Sequence, residues 1–178
     1  MKGTVKGTVK GTVKGTVKGT VMSLPVNIAD LLHQRIVESN RIEYKADWNP
    51  EPILHFICAF ANDIDNCGGG YIVIGVEEND GVPVFPLKGL DKSSLDRIQK
   101  ELLQKCNLLE PRYLPIVEPA VFDGKELVVI WAYGGEVRPY KCPVSFPSER
   151  PNTLRRRILS ARCPAQSVQT PTRSANWC

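Results

Sequence analysis

The run Tyr71-Ile72-Val73-Ile74-Gly75-Val76, entered through Gly68-Gly69-Gly70, constrains this chain more than any other stretch. Its apolar residues are nearly continuous rather than alternating, so both faces of the strand must be buried. Such a strand lies inside a sheet covered on both sides, and the rest of the chain must supply the cover. Residues 25–37 and 49–63 carry apolar side chains at helical spacing. In the first, Ile28, Leu31, Leu32 and Ile36 form the stripe and Asn27 is placed to cap it. In the second, Pro50 and Pro52 suit an opening turn, and Ile53, Leu54, Phe56, Ile57, Phe60 and Ala61 pack. Between them Ile42 and Tyr44 alternate with Glu43 and Lys45, the pattern of a short half-buried strand. A third amphipathic helix is expected over 90–106, capped near Asp91 or Ser93. Residues 113–122 and 125–133 read as a β-hairpin about Asp123-Gly124. Residues 77–81 read as the exit turn of the central strand, and 134–146 as a loop punctuated by Gly and Pro. The order α, β, α, β, α, β, β predicts a mixed α/β or α+β domain, with a mixed sheet, flanking helices and at least one strand still to come.

The two ends differ from this middle. Of 178 residues with a formal charge of +4, residues 2–21 hold five Lys and no acid, and residues 151–178 hold five Arg and no acid. Residues 22–150 therefore carry 13 bases against all 19 acids, a net −6. The first end is Lys-Gly-Thr-Val repeated five times up to Val21. A four-residue repeat matches neither the helix period nor a solenoid unit, and it has no continuous apolar core of a signal peptide. It reads as a translated repeat upstream of a start at Met22, or as an added tag. The tail is rich in Arg, Ser, Pro, Thr and Cys and is expected to be disordered. Codons that permit Leu154–Arg157 also permit, one base back, Glu-Glu-Ala, and permitted codons over the stretch from Asn152 extend this to a string containing Glu-Glu-Ala-Tyr-Phe-Ile-Arg. A one-base deletion near Arg150–Pro151 would leave the tail out of frame and the domain truncated before its closing strand. The organisation expected is thus 1–21 non-domain, 22–150 domain, 151–178 out-of-frame tail. No run of about 18 apolar residues predicts a membrane span. The four cysteines of the middle, Cys58, Cys67, Cys106 and Cys142, form no paired motif, and His33 and His55 are the only histidines, which gives little basis for zinc. Reduced thiols and a cytoplasmic setting are the expectation.

Four spaced motifs stand out: Glu38-Ser39 with Glu43-Tyr44-Lys45, Ala59-Phe60-Ala61-Asn62, Gly68 through Glu78, and Arg138-Pro139-Tyr140. Together they resemble the Schlafen AlbA-like domain, also catalogued as a divergent AAA-type domain of bacterial transcriptional regulators, over about residues 30–147. The resemblance implies a DNA- or RNA-binding domain, with no cofactor. Lys45, Arg138, Tyr140 and Lys141, with Arg41 able to join them, are the residues suited to phosphate contact and base stacking. A homodimer would double such contacts. Some animal members are RNA endonucleases with three carboxylates, and the matching positions here are Glu38, Glu43 and Glu78. Lys45 matches the base that follows the second acid. Clustered carboxylates of that kind would hold Mg²⁺ or Mn²⁺. Glu78 stands where the nuclease pattern has Asp, one methylene shorter. The plain alternative is a solvated strand edge with Glu43 paired to Lys45 or Arg41. A third reading is an inactive frameshift product. The Gly68–Gly70 run precedes a strand and lacks the Lys of a phosphate loop, so it predicts no ATP site. Asn62 reads as a helix C-cap and Trp131 as core.

Overall fold

A computed structural model describes residues 24–34, 39–146 and 155–161. Five residues form α1 (Ile28–Leu32), started by Asn27, whose side chain accepts the N–H of Ala29. Strand β1 (Ile42–Lys45) leads into α2 (Pro50–Ala61), which has proline in its first turn. Strand β2 (Gly70–Ile74) follows, then a small hairpin of β3 (Glu78–Asn79) and β4 (Val82–Pro83). A short 3-10 turn at Lys92–Ser94 opens α3 (Leu95–Cys106). Among the described residues, β5 (Ile116–Phe122), β6 (Lys125–Ala132), β7 (Lys141–Pro143) and β8 (Arg156–Ile158) follow.

The main sheet has the order β1-β2-β6-β5. It is mixed: β1 and β2 run parallel, while β6 is antiparallel to both β2 and β5. Every residue of β2 is buried, as its apolar run requires. Ile72 and Ile74 face a core shared with α2 and α3, together with Val128, Ile130 and Ala132 of β6. Tyr71 and Val73 face the other way, against Leu31 and Leu32 of α1 and Ile42 and Tyr44 of β1. The β5–β6 turn is made by Asp123 and Gly124, both with positive φ, which matches the right-handed twist of the strands.

Three expectations change. Residues 77–81 are more than an exit turn, since they begin the β3–β4 hairpin. Residues 155–161, placed by composition in a disordered tail, include a strand that pairs antiparallel with β7. The pairing uses backbone groups, because all three β8 side chains are exposed, and that is why the composition did not announce it. It forms a separate two-stranded ribbon and does not extend the main sheet. Cys67 is disulfide-bonded, so the expectation of reduced thiols fails there, whereas Cys58, Cys106 and Cys142 are free. The Lys-Gly-Thr-Val repeat lies outside the described residues. Among those described, no helix is long and apolar enough to cross a membrane.

Candidate functional site

Strand alternation decides what β1 offers. Ile42 and Tyr44 turn into the core, so Glu43 and Lys45 emerge on the opposite face, at the edge of the sheet. Backbone N–H groups of Gly75 and Val76 donate to the carbonyl of Lys45, which draws the chain leaving β2 alongside. Glu78 is thereby delivered to Lys45, 33 residues away in sequence. Lys45 Nζ forms a close ion pair with Glu43 Oε1 and a longer one, 3.4 Å, with Glu78 Oε1. It also lies 5.3 Å from the centroid of the Phe56 ring on α2. The side chains of Glu43, Lys45 and Glu78 are 20%, 26% and 32% exposed, so solvent reaches all three. Burial raises the Glu43 carboxyl above its ordinary range, against the pull of Lys45. Burial alone would lower Lys45, but the hydrogen bond and charge of Glu43, with Glu78, outweigh it and hold the ammonium above its ordinary range. The predicted trio is thus two-thirds visible, and Glu38 lies outside the described residues.

Most of the predicted nucleic-acid contacts are engaged within the protein. Lys45 is held by two carboxylates. Arg138 is committed to the C-terminal end of α2, where it donates to the carbonyl of Asp63 and to Asn66 Oδ1. Tyr140 is buried and its hydroxyl accepts the N–H of Val137, which leaves no face for a base. Lys141, on β7, is exposed, as is Arg138 despite its two hydrogen bonds. Beside Lys141 the paired strand presents Arg156 and Arg157, with Arg155 just before, all exposed. Arg156 pairs with Glu110 at 3.4 Å, and Arg157 approaches His55 at 3.1 Å. Sequence reading excluded these arginines with the tail and so missed a basic ribbon. Arg41 donates to the carbonyl of Gly69 at 2.6 Å. Trp131 is partly exposed, lying parallel to Tyr71 with ring centroids 6.2 Å apart.

The glycine run is closed to phosphate by the protein itself. Asp63, buried at the end of α2, accepts the backbone N–H groups of Cys67, Gly68 and Gly69 at 2.8–3.0 Å. Gly68 and Gly69 have positive φ, and a Cβ on Gly69 would lie 1.9 Å from the carbonyl oxygen of Ala132. The loop is a concave anion cradle with an internal carboxylate already in it. Asn62 caps α2, as read from sequence, and does more. Its amide accepts the N–H of Tyr140 and donates to the carbonyls of Tyr140 and Leu159, at 2.6–2.8 Å.

The donor set does not fit a divalent metal as it stands. Among the described residues no three His, Cys, Asp or Glu side chains are placed to hold one. The two carboxylates that converge do so on an ammonium.

Fold and site together define an α+β domain with a mixed sheet, helices on its flanks, and a carboxylate–lysine cluster at the C-terminal ends of its parallel strands. The Schlafen, AlbA_2 family model matches residues 38–155, and the chain belongs to that family. Among solved structures, it is similar to the N-terminal domain of an ATP-dependent DNA helicase RecG-related protein from Nitrosomonas europaea. That match has 23% identity and a TM-score of 0.52, covering 84% of this chain and 96% of the other, and it supports the fold. A second likeness, to the DIP2311 protein from Corynebacterium diphtheriae, has 16% identity and a TM-score of 0.42, covering 61% of this chain and 25% of that one. No curated protein matches.

Proposed function

We propose that this chain is a nucleic-acid-binding domain, with DNA as the first candidate ligand, of a cytoplasmic bacterial transcriptional regulator. The observation that carries the reading is the family match over residues 38–155. The name of the RecG-related neighbour, a DNA helicase relative, points the same way. The surface best suited to phosphate is the β7–β8 ribbon, where Lys141, Arg155, Arg156 and Arg157 are exposed on adjacent strands. A local patch is needed, because residues 22–150 carry a net −6 that repels a polyanion. The test is electrophoretic retardation of DNA and RNA by the full chain across a salt series. Affinity is expected to fall steeply with salt. Replacing Lys141, Arg155 and Arg157 by Ala should flatten the log–log slope by roughly 0.9 per lost phosphate contact on duplex DNA. Absence of salt-sensitive retardation would sink the reading.

Metal-dependent cleavage of RNA is the second reading. The approach of Glu43 and Glu78 to one point is the observation behind it, and the Lys45 ammonium between them stands against it. Its signature would be product formed only with Mn²⁺ or Mg²⁺ and lost in Glu43→Gln.

A further inference from the structure

Glu43 and Glu78 look like halves of a divalent-cation site, and the group between them is what departs from one. Lys45 Nζ contacts Oε1 of both carboxylates and lies over the Phe56 ring. An ammonium is therefore held on three sides. An aromatic face attracts an organic ammonium through its quadrupole, but it offers a divalent ion no oxygen. Mg²⁺ requires near-octahedral oxygen donors at about 2.0–2.1 Å and dehydrates reluctantly. Two acids and one base also leave the cluster with a net negative charge, so a phosphate approaching Lys45 meets carboxylates first. The cage suits the lysine it already contains.

We propose that Lys45 is the resident cation of the Glu43–Glu78 site: it fills the place of a divalent ion, keeps Mg²⁺ and Mn²⁺ out, and is withheld from phosphate. The Lys45 stem reaches this point because β1 is an edge strand with α2 beside it, so Phe56 and the two acids form walls that need no ligand to complete them. This counts against metal-dependent cleavage at these residues and does not depend on the nucleic-acid reading.

The test is a Mn²⁺ titration of the full chain at neutral pH, followed by the electron paramagnetic resonance signal of the free ion. Wild type should leave that signal unchanged. Lys45→Met, which keeps the stem against Phe56 and removes the charge, should take up one Mn²⁺ at least about tenfold more tightly than wild type. The Glu43→Gln/Lys45→Met double variant should lose that uptake. Lys45→Gln serves as a second neutral variant, with circular dichroism confirming that each is folded. Uptake by wild type that is lost in Glu43→Gln would overturn the proposal. So would folded Lys45→Met and Lys45→Gln proteins that bind Mn²⁺ no better than wild type. Retardation of nucleic acid is a separate measurement, so its failure would strike the proposed function and leave the Mn²⁺ result standing.

Discussion

Two polar constellations on this domain are built from similar side chains and serve different ends. At the C-terminal end of α2, Asn62 and Asp63 are 3% and 5% exposed, and their polar atoms are spent on backbone groups, Asn62 on the distant segments at Tyr140 and Leu159 and Asp63 on the loop that follows it. At the C-terminal ends of β1 and β2, Glu43, Lys45 and Glu78 satisfy one another and stay partly open to solvent. A buried polar group that answers backbone N–H and C=O groups fixes the path of the chain, because each group left behind would carry its full desolvation cost. A charge cluster at the surface fixes little, since water could replace every partner. The first is architecture, and the second is dispensable to it.

The largest effect is expected in the first region. Asp63→Ala removes the acceptor of three backbone N–H groups, and hydrogen bonds to charged groups contribute about 1.5–3 kcal/mol each. With partial rescue by water, the loss should be roughly 3–5 kcal/mol in urea unfolding. Asn62→Ala strands the N–H and C=O of Tyr140 and the C=O of Leu159, and should cost roughly 3 kcal/mol. An unfolding midpoint unchanged from wild type in either variant would break the comparison at its stronger end.

Much of the framework around these regions is legible in the sequence, and the difference between them explains what is not. The buried run at 71–76, the two long helices and the hairpin about Asp123-Gly124 follow from periodicity and turn chemistry within a single segment. The pairing of Glu43 with Lys45 is local and was one of the expected partners. Glu78 and Phe56 reach Lys45 only through the sheet register and the packing of α2. The roles of Arg138 and Tyr140 reversed for the same reason: an Arg-Pro-Tyr string looks like a binding loop until tertiary structure sets the guanidinium against Asp63 and buries the phenol. Asp63 did leave a signal, an acid placed five and six residues before two glycines that need positive φ. The ribbon was invisible because backbone pairing of exposed arginines leaves no apolar period.

A smaller effect is expected on stability at the cluster. Lys45→Met, Glu43→Gln and Glu78→Gln should each shift urea unfolding by less than about 1 kcal/mol, as for other partly exposed ion pairs. A loss matching that of Asp63→Ala would place the cluster with the architecture and remove the ground for treating it as a site.

The smallest effect sharpens the comparison by pH. Lys45 is raised above its ordinary 10.5, with the gain from Glu43 and Glu78 exceeding the penalty of burial. Protonated Lys45 is therefore favoured by folding, and its contribution is complete below pH 10.5 and disappears as pH rises through the raised value. Tyr44, lifted to about 12 chiefly by burial, weakens the fold on the same limb, because the core accepts only its neutral form while the unfolded chain ionises from its ordinary 10.0 upward. Tyr44 is present in both proteins, so the difference between wild type and Lys45→Met isolates the lysine. That difference should be flat from neutrality to about pH 10 and shrink above it. On the acid side Glu43 runs the other way from a usual paired carboxylate. Its raised value means that its contribution is present below its ordinary 4.5 and falls as pH climbs through the raised one. Wild type should thus gain on Glu43→Gln as the solution is acidified from neutrality toward pH 4.5. Melting temperatures across pH check both limbs. A Glu43 limb of the opposite sign would mean that Lys45, rather than burial, governs the carboxylate, and would draw the cluster closer to a plain surface salt bridge.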